Sequence, residues 1–222
     1  MNVTAAGPSR TSVIVELASV LALAALFVAA FRGRAGIVDV TLALAALALI
    51  GASTPRSRAL WARVPQSGGP AAARRVAWQR MALFTGAALA AFFVVGAALG
   101  YRADGWAGVA QRLWNWHFLL ACVLYLPWAL LQQFIFQTYL LARLLALLPH
   151  GPAVLLAGAA FSLVHFPRAP VMVGTAVAGV VWAATYARYR TLLPLAVSHA
   201  LLGAALHYWI FGRDLARLWG AL

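Results

Sequence analysis

The sequence predicts an all-α fold, a polytopic transmembrane helical bundle of about seven spans. Of its 222 residues 64% are hydrophobic and only 9% are charged, and the apolar residues fall in runs of membrane-crossing length. Mean hydropathy is +0.87, far from the mixture found in water-soluble domains, so the bilayer is the expected solvent. A spanning helix takes roughly 20 largely apolar residues. Seven such segments leave little chain for anything outside the membrane, and one membrane domain over 1–222 is expected.

The first run, 12–31, follows Arg10 and shows no small-residue cleavage pattern after a short core, so it reads as a retained anchor. The second is 36–54. Between it and the third, 81–100, lies the longest polar stretch, 55–80, which holds Ser67, Gly68, Gly69, Pro70 and six arginines. An excess of arginine marks the cytoplasmic side. Alternating from that stretch places the N-terminus, Arg143 and the Arg188/Arg190 turn inside as well, and Arg102, Arg168 and Arg213 outside. In the third run Gly96 and Gly100 form a GxxxG, a pattern that lets helix backbones approach closely. The fourth run, 113–147, exceeds one crossing and contains Pro127, so a kink, a tilt or a division into surface segment and span is expected. Runs at 152–166, 170–187 and 192–211 complete the set.

The net charge of +13 comes from 17 arginines, no lysine and four acids, Glu16, Asp39, Asp104 and Asp214. In a soluble chain this balance suggests nucleic acid. Here the arginines sit at the ends of apolar runs, where orientation signals and snorkelling side chains belong, and no nucleic-acid partner is expected. Cys122 is alone in an apolar segment, which excludes a disulfide or CxxC site within one chain and leaves packing as its role. Clustered tryptophans such as Trp114 and Trp116 suit an interfacial belt.

A polar side chain at bilayer depth loses its water and therefore faces a partner or a cavity. Three such groups stand out. Gln132 and Gln133 interrupt an apolar helix, and Gln137, four residues after Gln133, shares its face. His165 lies one turn beyond Phe161, and His199 lies within the last run, with His207 two turns further on. A structural role, hydrogen bonding between helices, suits Gln137, His207, His117 and His150. The glutamine pair, His165 and His199 together carry a more specific pattern.

The segment Gln132-Gln133-Phe-Ile-Phe-Gln137, then Phe161-Ser-Leu-Val-His165, then Ser198-His199-Ala-Leu-Leu-Gly203 resembles the CPBP family of CAAX proteases and bacteriocin-processing proteins. That family carries Glu-Glu-x-x-x-Arg, Phe-x-x-x-His and His-x-x-x-Asn on successive helices. Trp182, Tyr186 and the Arg188 to Thr191 turn also look similar, and the likeness covers about 113–211. The resemblance implies a glutamate that activates water, with histidines and an asparagine that position water and stabilise the oxyanion. Carried over, the water-activating position is Gln132, its acidic neighbour Gln133 and the arginine position Gln137. The histidine positions are His165 and His199, Phe161 keeps the Phe position, and Gly203 stands at the asparagine.

A carboxylate in an apolar cavity takes up and releases a proton near neutrality; an amide cannot. Loss of both glutamates also removes the negative charge that calls for a cation, so the absence of the arginine at Gln137 is physically coherent. Of the remaining acids, only Glu16 and Asp39 are placed to turn inward. No cofactor and no metal site is implied, since zinc catalysis wants three protein ligands and an open position. Neither HExxH nor GxSxG is present.

Two functions follow. One is a protease-like protein of the cell (cytoplasmic) membrane that holds a membrane peptide, a lipidated chain or a partner helix without cleaving it. The other is an active intramembrane endopeptidase using His165, His199 and an ordered water. A transporter would want related halves with broken helices, and no repeat is present.

Overall fold

The structure, a computed structural model, describes residues 9–26, 44–45, 48 and 50–214. Most of the second apolar run, including Asp39, lies outside the described residues. Every regular element described is helical. In chain order these are α1 (Arg10–Leu26), α2 (Thr54–Ala62), α3 (Pro70–Leu113) and α4 (His117–Gln133), which continues through a π-helical segment (Phe134–Leu140) into α5 (Leu141–Leu147). There follow α6 (His150–Leu163), α7 (Ala169–Tyr189) and α8 (Leu193–Ala205), the last ending in a second π segment (Leu206–Ile210).

Among the described residues four helices are long and apolar enough to cross a membrane: Pro70–Leu113, His117–Leu147, Ala169–Tyr189 and Leu193–Ile210. α6 is a shorter apolar helix. The expected helical membrane bundle is what the chain forms. The long run at 113–147 is resolved as a break at Trp114–Trp116 followed by one helix that passes Pro127 and widens at Phe134, without division into two helices. Asn115 starts that helix, its side-chain oxygen accepting the His117 backbone N–H at 3.0 Å.

The chain divides into two compact units, one of residues up to Ser67 with Phe134–Arg188, the other of Gly68–Gln133 with the residues from Tyr189 onward. In the first unit α5 packs on α1, α2 and α6. α6 and α7 meet backbone to backbone at Gly158 and Gly179: a Cβ on Gly158 would lie 2.8 Å from the Val180 nitrogen. Around that contact Phe161 packs edge-on against Phe136 and Trp182, with ring centroids 5.0 and 5.3 Å apart.

In the second unit α8 packs along α4 and α3, and the terminal π segment packs on α3. Gly96 lets α3 meet that segment, since a Cβ there would come within 2.8 Å of the Trp209 carbonyl oxygen. Asp104 and Gly105 leave helical geometry, Gly105 at φ 54°, and the chain doubles back so that Gly100 rests on Gly108. Only glycine takes that φ without cost and only glycine leaves room for the contact. The two halves of the GxxxG thus serve two different close approaches. Buried Thr85 donates to Ser198 at 2.7 Å, tying α3 to α8 one residue before His199.

Candidate functional site

Gln132, Gln133 and His199 fall in the second unit, and Gln137, Phe161 and His165 in the first. Gln133 and Gln137 are fully buried at 0% and 1% exposure, and His199 is buried at 5%. Gln132 is half-buried, but its side-chain oxygen has no accessible surface and accepts no hydrogen bond among the described residues. The π segment begins immediately after the glutamine pair. Such widened turns insert a residue into the i→i−4 ladder and recur at functional sites.

His199 is held by α4. The Tyr125 ring stands edge-on to the imidazole, centroids 5.6 Å apart at 88°. The same ring covers Gly203: a Cβ there would lie 2.6 Å from Tyr125 Cε1. The missing side chain at 203 is therefore the room in which Tyr125 sits. Gln132 follows Tyr125 by seven residues, two α-helical turns on, so both belong to one face of α4.

In the first unit His165 is half-buried just past the end of α6. Its Nδ1 lies 2.9 Å from the Phe161 carbonyl oxygen. A carbonyl only accepts, so Nδ1 carries the proton and a neutral ring then has Nε2 as its basic nitrogen. Phe161 thus fixes the tautomer through its backbone and packs the ring through its side chain, 5.2 Å between centroids.

The acids divide sharply. Glu16 on α1 accepts from Arg143 Nη2 at 2.6 Å and Nε at 2.9 Å, and pairs with Arg56 on α2. Arg143 has no exposed side-chain surface; it also donates to Ser57 Oγ at 3.0 Å and the Tyr139 carbonyl at 2.9 Å, and its guanidinium lies 3.6 Å from the Tyr139 ring centroid. Sequence reasoning set Arg143 at a cytoplasmic end; the structure makes it the buried partner of the acid that was free to turn inward. Asp214 accepts from Tyr208 Oη at 2.7 Å and Asn115 Nδ2 at 3.3 Å, and its carboxylate lies 2.5 Å from His117 Nδ1. His117 thus has the structural role expected of it. Among the described residues no three side chains of His, Cys, Asp and Glu gather around one point.

Sequence reasoning missed Tyr125 and the pairing of Arg143 with Glu16. The signals were there in weak form: a tyrosine two turns before the glutamine pair, and a single charged residue, Arg143, in the segment 134–147.

The described elements define a helical membrane protein with amides and imidazoles buried or half-buried among its apolar helices. Residues 113–205 match the family model described as "Type II CAAX prenyl endopeptidase Rce1-like". This segment, somewhat under half of the chain, is an Rce1-like domain of the CPBP family, and the protein is a CAAX-protease-like integral membrane protein. No curated protein and no solved structure matches the chain.

Proposed function

We propose that the Rce1-like domain binds a membrane peptide, a lipidated chain or a partner helix without hydrolysing it, in the cell membrane. Gln132, Gln133, His165 and His199 are its polar contacts. The observation that carries this reading is the fate of the acids. Amides stand at both positions where the resemblance requires glutamate, while Glu16, the described acid free to turn inward, is committed to Arg143 and Arg56. An amide offers two donors and a two-lone-pair acceptor at fixed charge, which suits a peptide backbone and does not suit proton transfer.

Within this reading the Gln132 oxygen accepts a backbone N–H from the ligand. Tyr125 sets the face of His199 rather than reacting, and the Nδ1-protonated His165 offers Nε2 as an acceptor. A prenylated CAAX peptide is the first ligand to try, because the matched family acts on prenyl substrates by its description.

The test is equilibrium binding of a fluorescent prenylated peptide to the full chain in lipid nanodiscs. Gln132→Leu and His199→Leu should each weaken binding about 10-fold, the equivalent of about 1.4 kcal/mol for a lost buried hydrogen bond. His150→Leu should leave it unchanged. Equal affinity in all three variants would reject the assignment.

A further inference from the structure

A second polar site lies in the Gly68–Gln133 and Tyr189–Asp214 unit, where α3 doubles back. A cavity of about 300 Å³ opens there among Asp104, Gln111, Arg112, Asn115, Arg213 and Asp214. It falls at the low end of small-ligand cavities, roughly 300–1,000 Å³. Its walls are fixed by contacts already made. Arg112 Nη1 donates to the carbonyls of Trp209 at 3.2 Å and Ile210 at 2.8 Å, closing the end of the π segment, and Asp214 is held by Tyr208, Asn115 and His117. Two charges on the lining remain. Among the described residues neither Asp104 nor Arg213 has a side-chain hydrogen bond or ion pair, and both are exposed.

The depth of the cavity follows from α3. Its apolar run 81–100 is about 30 Å long at 1.5 Å per residue, the thickness of the hydrocarbon core, so Asp104 stands one turn beyond it. Tyr101 and Trp106 flank the turn at Asp104 and Gly105 with their rings 5.5 Å apart, and both are more than half exposed. Such rings collect at the headgroup layer. What fills that layer at high concentration is lipid headgroup. The lining carries two cations and two anions, with Arg213 and Asp104 as the uncommitted one of each sign.

We propose that this cavity binds the headgroup of an aminophospholipid, its phosphate toward Arg213 and its primary ammonium toward Asp104. The ammonium supplies N–H donors to a carboxylate, which a choline cannot, and an anionic glycerol headgroup leaves Asp104 unmatched. None of Gln132, Gln133, His165 and His199 lines this cavity.

The test uses the full chain, delipidated in mild detergent and offered equal amounts of phosphatidylethanolamine, phosphatidylcholine and phosphatidylglycerol, with bound lipid counted by native mass spectrometry. Phosphatidylethanolamine should be retained about 10-fold over each of the others. Asp104→Asn should abolish its advantage over phosphatidylcholine, and Arg213→Gln should lower total retention, both with an unchanged thermal midpoint. Equal retention of the three lipids by the unaltered chain overturns the proposal, as does a preference that survives Asp104→Asn. Soluble O-phosphoethanolamine that binds and displaces lipid at equal concentration overturns the lipid source.

Discussion

An arginine with no exposed surface determines what one acid of this chain can do. Arg143 and Glu16 are 127 positions apart in sequence and share two hydrogen bonds, with Ser57, the Tyr139 carbonyl and the Tyr139 ring completing the guanidinium's surroundings. Removing one partner of such a buried pair strands the other, at a cost of about 3–5 kcal/mol, whereas replacing both with apolar groups is far milder. Glu16 keeps Arg56 when Arg143 is removed, whereas among the described residues Arg143 has no second acid, so Glu16→Leu is expected to lower the thermal midpoint in detergent steeply, and Arg143→Leu added to it should recover most of the loss. A double variant as unstable as the sum of the two single ones would contradict this account. The pairing was not legible in the sequence, because a contact between distant helices leaves no periodic trace. What the one-dimensional pattern did show was that Gln132, Gln133, His165 and His199 are polar where polarity is costly, and three of them are buried or carry a buried side-chain oxygen.

At the scale of the element, the informative pairing is Tyr125 on α4 with Gly203 on α8. The aromatic ring takes the volume that a side chain at 203 would need. Gly203→Asn is thus expected to destabilise the chain by about 1–3 kcal/mol through overpacking, and Tyr125→Ala in the same chain should relieve most of that cost, both read as thermal midpoints. An Asn tolerated beside Tyr125 would show that the ring moves aside freely. A substitution at Gly100 should be worse, because its neighbour is the Gly108 backbone and not a rotatable ring. The glycine spacing at 96 and 100 announced close approach, and the structure bears that out with two different partners. The reversal at Asp104 and Gly105 was not legible. A lone Asp-Gly after an apolar run signals a turn, but nothing local says that the next eight residues, 106–113, fold back as helix onto the segment they left.

For the whole molecule, composition alone carried the class: an arginine-only, acid-poor, apolar chain is built for a bilayer. Its orientation is testable through α3, which carries Arg74, Arg75 and Arg80 before its apolar run and Arg102 after it. In a Cys122→Ala background, an impermeant thiol reagent applied to intact cells should label Ala107→Cys and spare Ala72→Cys until the membrane is opened, as the excess of arginine at 55–80 requires. The reverse labelling would invert the topology.

If amides occupy the place of an acidic hydrolytic centre, the chain holds a peptide and leaves it uncut. The purified full chain is incubated in liposomes with a prenylated CAAX peptide and the peptide examined by mass spectrometry, with His165→Ala and His199→Ala chains alongside. The peptide should stay intact with the unaltered chain, at a level no different from either histidine variant. A truncated peptide that appears with the unaltered chain and disappears with the histidine variants would contradict it.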